Sequence, residues 1–169
     1  MPNFYADAYM VKAISSIFPS IKGKKVFEFG CGAGSLLNFL KHQGAKVCGI
    51  HNSEIPEEFF KALKLNVLRK DATWGFVDSL PEKEFDLTLS SNFFSKNMFS
   101  PEQARRILEN IKRLTKPGGY SIHLTHFATK LPLSLEEIKK AGFKLIAEKR
   151  SPAIRGQDFS QTVIILQRI

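Results

Sequence analysis

Three glycines at alternate positions, Gly30, Gly32 and Gly34, follow directly on the apolar run Lys25-Val-Phe-Glu-Phe29 and precede a helical pattern from Ser35 to His42. This order dictates a strand that turns sharply into a helix, with a backbone that a ligand can approach without intervening Cβ atoms. The start of such a helix carries unsatisfied N–H groups and the positive end of the dipole, which favour a phosphate or an amino-acid carboxylate. Spacing bears on the choice. The dinucleotide fingerprint G-x-G-x-x-G requires glycine at positions 30, 32 and 35, and Ser35 occupies the last of these. A nicotinamide or flavin site is thereby disfavoured. Glu28, two residues before the first glycine, completes the pattern E-x-G-x-G-x-G.

Further along, strand-like apolar runs alternate with helical patterns, and no repeat or low-complexity segment interrupts them. The alternation predicts an α/β, doubly wound parallel sheet covered on both faces. The patterns place a helix over Tyr5–Phe18 and strands over Lys25–Phe29, Lys46–Ile50, Asn66–Arg69, Phe85–Ser90 and Tyr120–Thr125. Helical spacing recurs over Glu57–Lys64 and Pro101–Thr115, the second with Ser100 as N-cap and Pro101 at its first position. Lys116-Pro117-Gly118-Gly119 then ends that helix and turns the chain. Ser134 caps a short helix that carries Glu136 and Glu137 in its first turn and stops at Gly142. Phe143–Glu148 and Gln161–Gln167 read as two strands, joined by a stretch long enough for a hairpin with an exposed loop.

The 169 residues suit one domain: residues 1–20 as an N-terminal helix over the cleft, 21–126 as the ligand-binding core, and 127–169 as a closing helix and hairpin. Apolar residues at 43% and charged residues at 24% are ordinary for a globular chain and unlike a disordered one. Residues 1–20 lack the layout of a secretory signal and no run reaches membrane-spanning length, so a cytoplasmic protein without a membrane partner is expected. Cys31 and Cys48 do not form a C-x-x-C pair, and no His, Cys and carboxylate residues cluster at metal-ligand spacing. Both cysteines are expected as reduced packing residues, although Cys31 faces a helix N-terminus where a thiol could be activated. The net charge of +9 invites a nucleic-acid partner, but the basic residues are scattered and no nucleic-acid-binding motif accompanies them.

With this order in place, the chain resembles class I S-adenosylmethionine-dependent methyltransferases, particularly the small methyltransferase-11-like group. Beyond the glycine pattern, Lys70-Asp71-Ala72 is similar to the family's adenine-contacting turn, and Trp74-Gly75-Phe76 sits where an apolar pair packs nearby. Phe85 to Phe93 resembles its fourth-strand motif, Leu114-Thr-Lys-Pro-Gly-Gly119 its turn before the fifth strand, and Ala141-Gly142-Phe143 its closing hairpin. The resemblance implies a Rossmann-like, seven-stranded sheet with the last strand antiparallel. It also implies S-adenosylmethionine as cofactor, held by Glu28, Gly30, Cys31, Gly32, Gly34, His51, Asn52, Asp71, Ala72, Ser90 and Ser91. Tyr5, Tyr9, Asn92, Phe93 and Phe94 are expected around the acceptor.

One position departs from the family pattern. Where relatives carry Asp or Glu to accept both ribose hydroxyls, this chain has His51, whose neutral imidazole offers one acceptor at most. Asn52 or Glu54 could take over that role.

Methyl transfer from a sulfonium needs an aligned, desolvated nucleophile more than it needs catalytic side chains. A general base helps when the acceptor must lose a proton, and His126, at the end of the fifth strand, is the best-placed candidate. His123 lies mid-strand and reads as a satisfied interior residue. Two functions follow. One is a methyltransferase acting on an unidentified acceptor; the other is a catalytically degenerate module of the same fold that binds a protein or nucleic-acid partner.

Overall fold

The computed structural model describes residues 4–52, 54–71, 80–94, 96, 98–125, 131–150 and 161–169, the side chains of residues 4–7 excepted. In chain order the elements are α1 (Phe4–Ile17), β1 (Lys25–Phe29), α2 (Ser35–His42), β2 (Lys46–His51), α3 (Glu57–Ala62) and β3 (Asn66–Arg69). There follow β4 (Phe85–Ser91), α4 (Pro101–Leu114), β5 (Thr115–Thr125), α5 (Leu135–Lys140), β6 (Phe143–Arg150) and β7 (Thr162–Arg168). The strands form one seven-stranded sheet in the order β3-β2-β1-β4-β5-β7-β6. Neighbours from β3 to β5 run parallel, and β7 is antiparallel to both β5 and β6, so the expected doubly wound sheet with an inserted antiparallel last strand is present.

Alternation along the strands sends successive side chains to opposite faces. On β1, Phe27 and Phe29 join Ile107 and Ile111 of α4 and Phe143 of β6 in one core. Val26 on the same strand joins Met10 and Ile14 of α1, Leu36 and Leu40 of α2, and Leu87 and Leu89 of β4 in another. A third cluster, Cys31, Leu37, Phe60 and Leu65, seats α3 beside α2. Each Leu or Phe buried in these clusters contributes roughly 1.5–3 kcal/mol, and together they fix the helices to the sheet.

Two features of the chain differ from the expected pattern. First, β5 begins at Thr115 rather than Tyr120, because Thr115 pairs with Phe85 while the next regular partners are Leu87 and Tyr120. Asp86 alone therefore faces the bulged segment Lys116-Pro117-Gly118-Gly119. It bonds the Lys25 backbone N–H at 2.8 Å and the Lys116 ammonium. Second, β6 runs on to Arg150, two residues beyond the expected Glu148, while α1 packs over β4, β5 and β7. The stretch expected as the exposed hairpin loop falls largely on residues 151–160, outside the described residues. Among the described residues, no helix is long and apolar enough to cross a membrane.

Candidate functional site

The order of strands reverses between β1 and β4, the place where open α/β sheets bind ligands beyond their carboxyl ends. There β1 gives way to the glycine turn, whose three glycines all adopt positive φ: 68° at Gly30, 51° at Gly32 and 74° at Gly34. The turn is tied to β2 by the Cys31 N–H, which donates to the Ile50 carbonyl at 3.0 Å, and it closes on itself through Gly34 N–H to the Cys31 carbonyl at 2.8 Å.

Two of these glycines have different physical reasons. A Cβ at Gly30 would lie 2.4 Å from Cδ2 of Phe93, so the aromatic ring occupies the space that the missing side chain leaves. A Cβ at Gly32 would meet nothing within 4 Å and would project into open space. Gly34 serves as N-cap of α2 in the left-handed conformation, without a side-chain cap bond, and the first turn of α2 contains no acid. The N-terminal N–H groups of this helix are thus left to a ligand or to water.

Beside the turn lies a cavity of about 380 Å³. Gly30 and Gly32 form one wall, Ile50, His51 and Asn52 follow from β2, and Lys70 and Asp71 follow from β3. The opposite wall comes from Phe93 beyond β4, Met98 and Phe99 before α4, and Gln103 in its first turn. Phe93 and Phe99 pack edge to face at 5.0 Å between centroids. A volume of this size, part aromatic and part polar, falls in the range of small-molecule sites.

His51 is 5% exposed and its ring lies 4.7 Å from that of Phe60. Burial first, and then the neighbouring Arg69 charge, hold its pKa below the ordinary 6.5, so the ring at this wall is neutral at physiological pH. Where the resemblance leads to the expectation of a carboxylate, this chain places an uncharged donor and acceptor.

The other expected site residues distribute as follows. Glu28 is buried within β1, and Cys31 packs with Leu37, Phe60 and Leu65 away from the cavity. Burial, followed by the charge of Glu28, pushes the Cys31 thiol far above its ordinary 9.0, and burial raises Cys48 to about 11. Neither cysteine is an activated nucleophile. Ser90 is buried and bonded to His123, while Ser91 is partly covered at the end of β4. Asn92 takes a left-handed φ of 56° and its N–H donates to the Leu124 carbonyl at 2.8 Å, which turns the chain so that Phe93 faces Gly30. Phe94 points the other way, fully buried with its ring 5.3 Å from that of His123; it belongs to the core and not to the cleft wall. Tyr9 lines a separate depression of about 220 Å³ with Lys12 and Lys149. Ala72, His126 and the side chain of Tyr5 lie outside the described residues.

Sequence reasoning did not single out Ile50, Met98, Phe99 and Gln103 as wall residues. In the structure Met98 stands out as an apolar side chain left 58% exposed between β4 and α4. Among the described residues, no group of three or more His, Cys, Asp and Glu side chains could hold a metal ion.

Comparison with known proteins places this geometry. A curated relative, an uncharacterized methyltransferase from Synechocystis sp. (strain ATCC 27184 / PCC 6803 / Kazusa), is 34% identical over 99 residues, 57% of this chain. The chain spans 44% of that relative's length. Among solved structures, a TehB-like SAM-dependent methyltransferase from Corynebacterium glutamicum superposes with a TM-score of 0.72 at 20% identity, covering 97% of this chain and 88% of its own. The 1,6-didemethyltoxoflavin-N1-methyltransferase of Burkholderia thailandensis, solved with 1,6-didemethyltoxoflavin and S-adenosylhomocysteine bound, gives 0.71 at 16% identity, covering 96% and 76%. These likenesses establish the fold. The family described as "Methyltransferase domain" matches residues 27–123, from the middle of β1 to near the end of β5 and so across the glycine turn and every described wall of the cavity, and the chain belongs to that family.

Proposed function

We propose that this chain binds S-adenosylmethionine in the cavity beside the glycine turn and transfers its methyl group to an acceptor by in-line displacement. The observation that carries the reading is the open cradle at Gly32 next to a helix that begins without a cap. Bound there, S-adenosylmethionine supplies a methyl group already activated by the sulfonium charge.

The residues present fit that cofactor. The uncapped first turn of α2 suits the methionine carboxylate, through its N–H groups and dipole. Asp71 offers a carboxylate acceptor to the adenine amino group. His51 and Asn52, at the end of β2, face the ribose with uncharged groups. A neutral acceptor in place of a carboxylate forgoes roughly 1 kcal/mol per hydrogen bond, so affinity is expected to be lower, by about tenfold, than with an acidic residue at position 51. Ile50, Phe93, Met98 and Phe99 present apolar surface that excludes water from the reacting centre.

His126 is the proposed general base for acceptors that must lose a proton. His126→Ala is expected to lower turnover while leaving cofactor affinity unchanged, and unchanged turnover would remove the assignment. The acceptor of the Burkholderia relative is a small molecule, and small molecules are the first acceptors to screen here. The test is formation of S-adenosylhomocysteine from S-adenosylmethionine in the presence of pooled candidates. Acceptor-dependent product supports transfer. Tight cofactor binding without product across the pools would favour the non-catalytic module, which no present observation favours. We also place the protein in the cytoplasm, where two unpaired cysteines stay reduced, and cell fractionation checks it.

A further inference from the structure

A sheet covered by helices on both faces is ordinarily apolar on both. Here the α4 side of β4 and β5 carries Thr88, Ser90, Ser121 and His123, all fully buried, among Phe27, Phe29, Phe94 and Ile111. They form one continuous hydrogen-bonded chain. The Thr115 hydroxyl donates to the Ile111 carbonyl at 2.7 Å and lies 2.9 Å from that of Thr88, which donates to Ser121 at 2.7 Å. Ser121 Oγ is 2.9 Å from Nε2 of His123, and Nδ1 of the same ring is 2.7 Å from Ser90 Oγ. Both ring nitrogens are engaged, and the ring stays neutral because burial carries its pKa from 6.5 down to about 3.

Stability alone does not call for such a chain. Replacing both partners of a buried hydrogen bond by apolar groups of the same shape is nearly neutral or stabilising, whereas each unmatched partner is costly. What a fully satisfied buried network supplies is a unique geometry. The geometry at stake is the register of β4 on β5. Thr115 lies before the four-residue bulge and Ser121 after it, and the Thr88 hydroxyl touches the first and donates to the second, so the hydroxyls span the one place where these strands lose their regular pairing. His123, directly opposite Ser90, carries the chain to the end of β4. It also packs on Phe94. Ser90 and Phe94 bracket the turn that delivers Phe93 onto Gly30 and into the cavity wall.

We propose that the Thr115–Thr88–Ser121–His123–Ser90 chain is a register lock that seats Phe93 against the glycine turn, and that His123 is a positioning residue for the cofactor site. The proposal rests on reading the cavity as the S-adenosylmethionine site. It makes a polar core stripe, none of whose residues lines the cavity, a determinant of binding.

The test compares S-adenosylhomocysteine affinity, by calorimetry, with melting temperature in four proteins. These are the wild-type chain, an apolar variant (Thr88→Val, Ser90→Ala, Ser121→Ala, His123→Leu), the single variant Ser90→Ala, and Ser134→Ala as a control destabilised at a distant helix cap. The apolar variant is expected to bind at least about tenfold more weakly than wild type whatever its melting temperature. Ser90→Ala is expected to lose about threefold, and Ser134→Ala to bind like wild type despite melting lower. Wild-type affinity in the apolar variant overturns the lock. If that variant does not fold, Ser90→Ala decides, and unchanged affinity there overturns it equally. A wild-type chain that binds no S-adenosylhomocysteine refutes the cofactor reading itself, a result distinct from the other two.

Discussion

Helices α4 and α5 begin with reciprocal capping boxes, Ser100 with Gln103 and Ser134 with Glu137, whereas α2 begins on a left-handed Gly34 with neither cap nor acid in its first turn. All three helices pack on the same sheet and face the same requirement, since the first four N–H groups of a helix have no partner within it. The capped helices meet it within the chain. In α4, Ser100 Oγ accepts from the Gln103 N–H at 3.2 Å and Gln103 Oε1 accepts from the Ser100 N–H at 2.9 Å. In α5 the acid Glu137 performs the same reciprocal role. Helix α2 leaves its N-terminus to something outside the chain, beside Gly32, where a Cβ would find open space. Both α2 and α4 start beside the cavity, α4 through Gln103, and the difference teaches that only α2 forgoes local capping there.

The largest expected effect breaks α2's side of this contrast. Gly32→Val places a branched Cβ in the open cradle at a φ of 51°, and S-adenosylhomocysteine affinity is expected to fall more than about a hundredfold. Calorimetry measures it, and affinity within threefold of wild type would show that the cradle is not the approach path.

Next in size is a response to acid that separates core from caps. In the folded chain the imidazole of His123 is held neutral, with a pKa of about 3 against an ordinary 6.5. The unfolded chain therefore takes up the proton first, so the stability contribution is complete above pH 6.5 and is lost as pH falls from 6.5 toward 3. The slope is up to about 1.4 kcal/mol per pH unit. His51, also below its ordinary value, adds in the same sense. Glu137 is different. Hydrogen bonds from the Ser134 N–H and hydroxyl, and then from Arg105, depress its pKa below 4.5, so the α5 cap is lost only at more acid pH. Urea unfolding at pH 7.5 and 5.5 is expected to show the His123 loss, and equal stability at the two values would contradict the buried neutral ring.

Smaller effects sharpen the comparison by exchanging its terms. Ser35→Asp adds an acid to the exposed first turn of α2, which should stabilise that helix by about 0.3–1 kcal/mol. The same charge opposes a bound carboxylate, and affinity is expected to fall about tenfold. Ser134→Ala, conversely, should cost about 1 kcal/mol in unfolding free energy and leave cofactor affinity unchanged. Opposite signs for stability and binding in α2, with only stability changed in α5, are the signature; parallel changes in both variants would dissolve the distinction.

Much of this arrangement was legible in the sequence because it depends on local order. The strands Lys25–Phe29 and Asn66–Arg69 and the helix Ser35–His42 follow from apolar periodicity and the glycine turn, and both serine caps follow from residue type and spacing. What escaped depends on register between segments distant in the chain. Thr88, Ser90, Ser121 and His123 look like ordinary alternating polar positions on two strands until the bulge at Lys116–Gly119 sets them opposite one another. Phe93 and Phe94 are adjacent and chemically identical, and only the left-handed Asn92 sends the first to the cavity and the second to the core. Met98, Phe99 and Gln103 reach the wall by folding back from beyond β4, a contact that no local spacing encodes.

The measurement that tests the central claim most directly is calorimetric titration of the purified chain with S-adenosylhomocysteine, with NAD as control. The account predicts one site with a dissociation constant in the micromolar range and no heat from NAD. Absence of S-adenosylhomocysteine binding, or equal binding of NAD, would contradict it.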